Sequence, residues 1–207
     1  MLNWTNRFNI CCFLDNHHYH FQPSGFECIA AVNTLHLLQA NAGEQALDQL
    51  HLFQKQHNDW IFGHLGYDLK NDIEPLHSLH PDGIGFPDLF FFVPEIIVQL
   101  NQNELLIRSN GPVTANKIFT EITTADIRER TQTNAKLFLR SRFSQESYTE
   151  TVETLKRHIL RGDCYEINFC LEFYAETAEV NPLEIYQALS ETSPNPFAAY
   201  YKINDRY

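Results

Sequence analysis

The hydrophobic period of the chain changes at Gly162, and this change limits the possible folds more than any other feature of the sequence. Before it, residues 144–161 carry apolar side chains at the spacing of an α-helix. The apolar face of that helix holds Tyr148, Val152, Leu155 and Ile159. Ser147 and Glu150 fit a capping box, and Ser144 is the alternative cap. Gly162 fits the glycine that ends a helix.

After Gly162, residues 164–173 alternate strictly between two faces, which predicts a β-strand. The apolar face consists of Tyr165, Ile167, Phe169, Leu171 and Phe173. The polar face consists of Cys164, Glu166, Asn168, Cys170 and Glu172. A polar strand face lies toward either a cleft or solvent. Glu166 and Asn168 are therefore candidate cleft-facing residues, and a solvated strand face is the alternative.

The rest of the chain predicts strands first and then alternating helices and strands, which favours an α+β fold with antiparallel sheets packed against helices. Strands are predicted near residues 8–14, 60–67, 89–92, 96–100, 104–108 and 197–201. The turn Asn101-Gln102-Asn103 predicts a hairpin of 96–100 with 104–108, and Ser193-Pro194-Asn195-Pro196 predicts an extended segment before the last strand. Helices are predicted for residues 43–56, after the cap Thr114 with Ile118, Phe119 and Ile122 inside, and for 182–190 with Leu183, Tyr186 and Leu189 inside. Residues 26–38 fit either a strand or a helix. The polar, aperiodic residues 123–143 are the candidate domain boundary.

Charge and composition exclude several classes of protein. The net charge of -11 repels nucleic-acid phosphates, so we expect no nucleic-acid partner. We find neither an apolar run long enough for a membrane helix nor a secretion signal, and we expect a cytoplasmic protein with no membrane partner. The odd count of five cysteines, without a C-x-x-C pair, predicts reduced and buried thiols.

Two other groups of residues have both a structural and a functional interpretation. The histidines of segments 17–20 and 77–80 suggest a metal site, but no carboxylate or thiol converges on them, and solvated loop histidines are favoured. Gly63 and Gly66 permit the backbone to approach a ligand, although close packing of a strand is the favoured explanation.

Several of these segments resemble one known family when taken in order. Gly162-Asp163-Cys164-Tyr165-Glu166-Ile167-Asn168-Phe169, after its helix, resembles the opening of the chorismate-binding domain shared by aminodeoxychorismate synthase, anthranilate synthase and isochorismate synthase-type enzymes. Ser193-Pro194-Asn195-Pro196-Phe197 is similar to that family's Asn-Pro-Ser-Pro-Tyr/Phe segment. The segments 60–68 and Pro87-Asp88-Leu89-Phe90 resemble the amino-terminal region of component I. Glu166 departs from the pattern, because the family usually has Gln there.

The resemblance implies an anthranilate synthase component I-like fold of which this chain is the amino-terminal half. Residues 1–140 would form the component I amino-terminal domain, and 144–207 the incomplete start of the chorismate-binding domain. The form Cys-Tyr-Glu-Ile-Asn is nearer to aminodeoxychorismate synthase (para-aminobenzoate synthase), which implies amination of chorismate to 4-amino-4-deoxychorismate for folate synthesis. The alternatives are a fragment of anthranilate synthase component I and a non-catalytic module that binds an amino acid or a partner.

The same resemblance implies where the chemistry is located. The nucleophilic lysine of a Pro-Ile-Lys-Gly-Thr motif and the ligands of Mg²⁺ are expected beyond Tyr207, so no catalytic residue is expected here and the fragment is expected to be inactive. The implied partners are chorismate and a glutamine amidotransferase subunit. Some relatives bind tryptophan in a pocket that would here include Pro196, Phe197, Ala198 and Arg7.

Overall fold

The computed structural model describes residues 1–19, 26–77, 79–102, 104–125, 137–176 and 179–207. The chain divides into two compact units, one formed by Met1–Arg130 with Pro182–Tyr207 and the other by Thr131–Asn181. These units differ from a simple division of the chain near residue 140, because residues 182–207 belong to the first unit. The two family domains proposed from the sequence remain a prediction.

The elements confirm most of the predicted ones. The strands are β1 (Ile10–Asp15), β2 (Cys28–Val32), β3 (His36–Ala40), β4 (Phe62–Leu65), β5 (Leu89–Val93), β6 (Ile96–Asn101), β7 (Glu104–Ser109), β8 (Arg140–Ser141), β9 (Phe173–Tyr174) and β10 (Ala198–Ile203). The helices are α1 (Leu2–Thr5), α2 (Ala46–Gln56), α3 (Lys70–Ile73), α4 (Ala115–Thr123), α5 (Gln145–Arg161) and α6 (Pro182–Thr192), and a 3-10 turn covers Tyr67–Leu69. Residues 26–38, which the sequence left open, provide β2 and the start of β3.

The larger sheet of the first unit has the strand order β10-β1-β2-β6-β7, and every neighbouring pair is antiparallel. The smaller sheet has the order β3-β5-β4 and is also antiparallel. These pairings confirm the antiparallel α+β prediction. They also confirm the hairpin predicted between residues 96 and 108, since β6 pairs with β7 from Ile96↔Ser109 to Asn101↔Glu104.

The larger sheet is covered on both faces, which explains why every residue of its central strand β2 is buried. One face packs against helices, and α1, α4 and α6 contribute the buried side chains Trp4, Ile118 and Leu183. The other face packs against the smaller sheet through Phe62, Phe90 and Phe92. Helix α2 covers the outer face of the smaller sheet, where Ala46 is buried with Leu89. The core therefore has three layers. One lies between the helices and the larger sheet, one between the two sheets, and one between the smaller sheet and α2.

Two helices are oriented as predicted, with one exception in each. The Thr114 side chain accepts a hydrogen bond from the Lys117 amide at the start of α4, which confirms the cap. Phe119 was predicted to point inward, but it is exposed, and Ile118 is the buried residue of that helix. In α6, Leu183 is buried and Tyr186 packs on the core, whereas Leu189 is exposed. The helical period predicts which side chains share a face. It does not predict how much of that face the neighbouring elements bury.

The second unit contains α5 and the short pair β8–β9. Ser144, the alternative cap, begins α5 by accepting a hydrogen bond from the Ser147 amide at 3.2 Å. Gly162 ends it with φ of 87° in the left-handed region, as predicted. The apolar face of α5 packs Tyr148 against Phe169, with ring centroids 5.4 Å apart.

The prediction of a strand over residues 164–173 is wrong for most of its length. In the described ranges residues 164–172 belong to no strand, and only Phe173 and Tyr174 pair, with Ser141 and Arg140. Next to this pair the carbonyl oxygen of Glu172 accepts a hydrogen bond from the Arg142 amide at 3.2 Å. Alternation predicts which side chains share a face. A β-strand, however, also requires a neighbouring backbone to accept and donate its hydrogen bonds. That partner is not present among the described residues.

Gly63 allows the close pairing of β4 with β5, as the close-packing interpretation predicted. A Cβ added at Gly63 would overlap the carbonyl oxygen of Phe90, and one added at Gly66 would lie 2.9 Å from the carbonyl oxygen of Asp88. The Gly66 amide donates a hydrogen bond to that same Asp88 oxygen. The two component I-like motifs thus build one strand pairing.

Gly63→Ala should lower the free energy of unfolding by about 1–3 kcal/mol, because the overlap is with backbone, which cannot rotate away. Denaturant unfolding of the full chain measures this. Gly83→Ala is the matched control, since a Cβ there meets nothing within 4 Å, and it should change the stability by less than about 0.5 kcal/mol. Equal stability of the two variants would contradict the close approach.

Asp163 should make the last turn of α5 depend on pH. Its carboxylate accepts hydrogen bonds from Arg161 and lies 2.6 Å from Nδ1 of His158, and these contacts hold the pKa of Asp163 below its usual range. A depressed folded-state pKa stabilises the fold above the unfolded value, about 3.9, and this contribution is lost as pH falls through the folded-state pKa.

We therefore expect the Cα chemical shifts of residues 158–161 to move toward coil values below about pH 4 in the wild-type chain. The matched variant Asp163→Asn lacks the titrating carboxylate and should show no such change. The same acid transition in both proteins would contradict the role of Asp163.

Candidate ligand site at the start of strand β10

The family-like segment of residues 193–197, called here the lead segment, is placed by the pairing of β10 with β1. This register runs from Ile10↔Ile203 to Asp15↔Ala198, so the lead segment lies beside the end of β1. Pro194 and Pro196 disfavour helical backbone at the residues before them and have no amide proton. The sequence predicted an extended segment, whereas the structure has Pro196 and Phe197 in a turn, and β10 starts directly after it at Ala198.

The residues of the predicted pocket in the lead segment differ in exposure. Pro196 and Ala198 are half-buried, whereas Phe197 is 81% exposed. The Phe197 amide donates a hydrogen bond to Oδ1 of Asn195 at 2.8 Å, which closes a tight turn in front of β10. The exposed Phe197 ring therefore stands at the start of β10 on a locally braced backbone.

His17 contacts the lead segment from the turn after β1, and the sequence did not predict this. Its Nδ1 lies 2.9 Å from the Asn195 carbonyl oxygen and 3.3 Å from the Asn195 amide nitrogen. Its own amide donates to Oδ1 of Asp15 at 2.8 Å, and Nε2 lies 3.9 Å from Oδ2 of Asp15. The histidine was interpreted as a solvated loop residue, but its side chain is only 17% exposed. The local Asp-x-His spacing signals the turn, and only the fold shows a partner 178 residues away.

Arg7 is not brought to the lead segment. It is exposed and precedes Ile10, which pairs with Ile203 at the far end of β10. The five-residue offset between Ile203 and Ala198 corresponds to about 16 Å along a strand. Among the described residues the predicted pocket therefore has Pro196, Phe197 and Ala198 together and Arg7 apart.

Asn6, the neighbour of Arg7, contacts β10. Its Oδ1 accepts a hydrogen bond from the Tyr200 hydroxyl at 2.6 Å, and its carbonyl oxygen accepts one from Nζ of Lys202 at 3.1 Å. Burial raises the pKa of Tyr200 above its ordinary value, which keeps the hydroxyl protonated and able to donate. These bonds attach the start of the chain to β10.

A second polar contact joins β10 to the smaller sheet. Nε2 of His64 lies 2.8 Å from the Pro87 carbonyl oxygen, and Nδ1 lies 3.2 Å from the Tyr201 hydroxyl. A carbonyl oxygen only accepts, so Nε2 donates, and in the neutral ring Nδ1 accepts from Tyr201. Burial raises the pKa of Tyr201, so this donor also remains protonated. Phe86 stacks on Tyr201 with ring centroids 6.1 Å apart.

Glu166 and Asn168 lie in the second unit, in the unpaired residues 164–172, and both are exposed. Their proposed orientation toward a cleft remains a prediction. Cys170 is exposed and Cys164 is half-buried, which corrects the expectation that all the cysteines are buried. Burial raises the pKa of Cys11, Cys12 and Cys28 to about 12, so these thiols are protonated and inert near neutral pH.

Metal ligands do not converge in the described part of the chain. No group of three or more His, Cys, Asp or Glu side chains there could hold an ion. His18, His77 and His80 are exposed, as the loop interpretation predicted, and His20 and Ser78 lie outside the described residues. Within the described ranges, no helix has the length and apolar character needed to span a membrane.

Comparison with known proteins matches residues 11–207 to the family described as chorismate binding enzyme. Aminodeoxychorismate synthase component 1 of Bacillus subtilis is 29% identical over 157 residues, covering 69% of this chain and 33% of that protein. The anthranilate synthase component I-like protein of Synechocystis is 31% identical over 149 residues, covering 70% and 30%. Anthranilate synthase component 1 of Thermus thermophilus is 27% identical over 168 residues, covering 70% and 33%. The chain spans about a third of the length of these relatives.

The fold has a counterpart among solved structures. Anthranilate synthase component I from Streptococcus pneumoniae superimposes with a TM-score of 0.61 at 20% sequence identity, covering 85% of this chain and 47% of that one. This likeness confirms the anthranilate synthase component I-like fold predicted from the sequence. The family match over residues 11–207 includes both compact units and the lead segment, and the chain belongs to the chorismate-binding enzyme family.

Proposed function

We propose that this chain is the amino-terminal part of an enzyme that aminates chorismate to 4-amino-4-deoxychorismate, in the branch that supplies folate. The observation that supports this choice is the form Cys164-Tyr165-Glu166-Ile167-Asn168 after Gly162-Asp163, which is nearer to aminodeoxychorismate synthases than to anthranilate synthases. The 29% identity to the Bacillus subtilis aminodeoxychorismate synthase component 1 agrees with it.

Anthranilate synthesis is the second candidate, and the relatives named above favour it as much by identity. The Synechocystis protein is 31% identical and is named as anthranilate synthase component I-like. A difference of 31% against 29% does not separate the two reactions. The choice therefore depends on residues that touch the substrate and the nucleophile, and in this family those are expected beyond Tyr207.

In such a reaction this chain would form the framework that positions the ligand-binding residues. The nucleophile would come from another part of the enzyme. The lead segment and β10 present Pro196, Phe197 and Ala198 at one end of the larger sheet, and we propose that a ligand, with tryptophan as the candidate, binds there. Arg7 lies at the opposite end of β10 and is left out of this site. In the second unit, Glu166 and Asn168 are proposed to line the substrate cleft once residues 164–172 have a strand partner.

A Mg²⁺ ion would neutralise the carboxylates of chorismate when bound. The described residues do not fit it, because no three acidic or histidine side chains converge there, and we derive no step through the ion. The proposed partners are chorismate and a glutamine amidotransferase subunit that supplies ammonia. The proposed location is the cytoplasm.

Purified chain incubated with chorismate, Mg²⁺ and an ammonium salt should form neither aminodeoxychorismate nor anthranilate. The physical reason is that the expected lysine nucleophile lies outside these 207 residues. Chromatographic separation of the two products measures this, with a full-length aminodeoxychorismate synthase as the positive control. Turnover by the chain alone would contradict the proposal that the nucleophile lies outside these residues.

Sequencing the gene past the codon for Tyr207 separates the candidate functions. An in-frame continuation that reaches Pro-Ile-Lys-Gly-Thr would support amination to aminodeoxychorismate, and Ala in place of that Lys would support anthranilate synthesis. A stop codon at that point would contradict both and would favour a non-catalytic binding module.

A further inference from the structure

We propose that His17 is the positioning residue of the lead segment, and that it sets the backbone on which Pro196 and Phe197 meet a ligand. This inference rests on the proposed function only for the ligand, because the contact itself belongs to the folded chain. Neither the resemblance nor the composition singles out this histidine, and nothing in its local sequence points to a partner near residue 195.

The lead segment has few groups by which the fold can hold it. Pro194 and Pro196 have no amide proton, so the backbone donors left between them and β10 are those of Asn195 and Phe197. The Phe197 amide is used by the side chain of Asn195 at 2.8 Å. The Asn195 amide and carbonyl both face Nδ1 of His17, at 3.3 and 2.9 Å. The imidazole therefore contacts the backbone of Asn195, the residue from which the turn to Phe197 is built.

The chemistry of the ring suits this position. A neutral imidazole nitrogen either donates or accepts, so Nδ1 donates to the Asn195 carbonyl in one tautomer and accepts from the Asn195 amide in the other. One hydrogen bond to Asn195 is available in either case. In the second tautomer Nε2 carries the proton and faces Oδ2 of Asp15, 3.9 Å away. An alanine at position 17 would lose both contacts, whereas an asparagine side chain would place a polar atom close to the position of Nδ1.

The turn that carries His17 is itself held in an uncommon conformation. His17 has φ of 47° and His18 φ of 61°, in the left-handed region that non-glycine residues seldom adopt. The side chain of Asp15 accepts from the His17 amide, and that of Asn16 accepts from the His18 amide at 2.9 Å. The amide of Asn16 donates to the carbonyl oxygen of Glu27 at 2.9 Å, which attaches the turn to the start of β2. The fold thus holds the turn in the conformation that aims the His17 ring at Asn195.

His18 provides a matched control for His17. It is the next residue in the sequence and has the same backbone region, but its side chain is exposed. Substitution of either histidine by alanine makes a similar change in backbone preference and in side-chain volume. The contact with Asn195 belongs to His17.

The test compares the full chain in four forms: wild type, His17→Ala, His17→Asn and His18→Ala. Amide hydrogen exchange of Asn195 and Phe197 is measured by NMR. We expect His17→Ala to accelerate exchange by about fivefold, the value of one net hydrogen bond. The change should appear at Phe197 in either tautomer, because its amide is held by the turn that loses the contact, and also at Asn195 where that amide is the donor. His17→Asn, which tolerates positive φ, should restore most of the protection, and His18→Ala should match wild type. Exchange that is unchanged at both Asn195 and Phe197 in His17→Ala would overturn the proposal.

The same four proteins are titrated with L-tryptophan by calorimetry, which separates this inference from the proposed function. Weaker binding to His17→Ala than to wild type and His18→Ala, with recovery in His17→Asn, is the expected result. Faster exchange in His17→Ala without tryptophan binding to any form would retain the positioning role and reject the ligand. Equal affinity for all four would retain the ligand and reject the positioning role.

A variant that fails to fold does not stop the test, because the wild-type chain provides a measurement of its own. The Phe197 amide of wild type, which donates to Oδ1 of Asn195 in either tautomer, should exchange more slowly than an unprotected peptide amide. Exchange at the unprotected rate would overturn the proposal without any variant.

Discussion

The antiparallel pairing of β10 with β1 is the interaction on which the rest of the first unit depends. It joins residues 182–207 to the first strand of the chain and adds the edge of the larger sheet. Through it α6 reaches the helical core beside Trp4, and Tyr201 reaches His64 of the smaller sheet. The same register sets the lead segment beside the turn that carries His17. Without this pairing, α6, Tyr201 and the lead segment would not be held next to the residues that they contact.

The family-like motifs have two different physical roles. Those around Gly63, Gly66 and Asp88 make a close strand pairing, because a side chain at either glycine would meet backbone. The aspartate also accepts a hydrogen bond from the Ala42 amide at 2.8 Å and so braces the turn before α2. The lead segment, by contrast, ends in an exposed aromatic ring. The lead segment therefore has an aromatic side chain that a ligand can reach.

Local rules predicted most of the elements and the fold class, because period, caps and turns act over a few residues. The cap at Thr114, the stop at Gly162 and the hairpin after Ile96 are of this kind. The sequence failed where the outcome depends on a distant partner. Residues 164–172 have the alternation of a strand but no described backbone to pair with, and His17 contacts a residue 178 positions away. The pocket prediction for Arg7 also required a register that only β1 and β10 together define.

Hydrogen exchange along the whole wild-type chain measures whether β10 pairs with β1 at the edge of the larger sheet while residues 164–172 belong to no strand. We expect the amides of β1 and β10 that face each other to exchange orders of magnitude more slowly than those of residues 164–172. Exchange in β10 as fast as in residues 164–172 would contradict the pairing of β10 with β1. Protection of residues 164–172 at the level of β1 would contradict their unpaired state, since that segment would then have a strand partner.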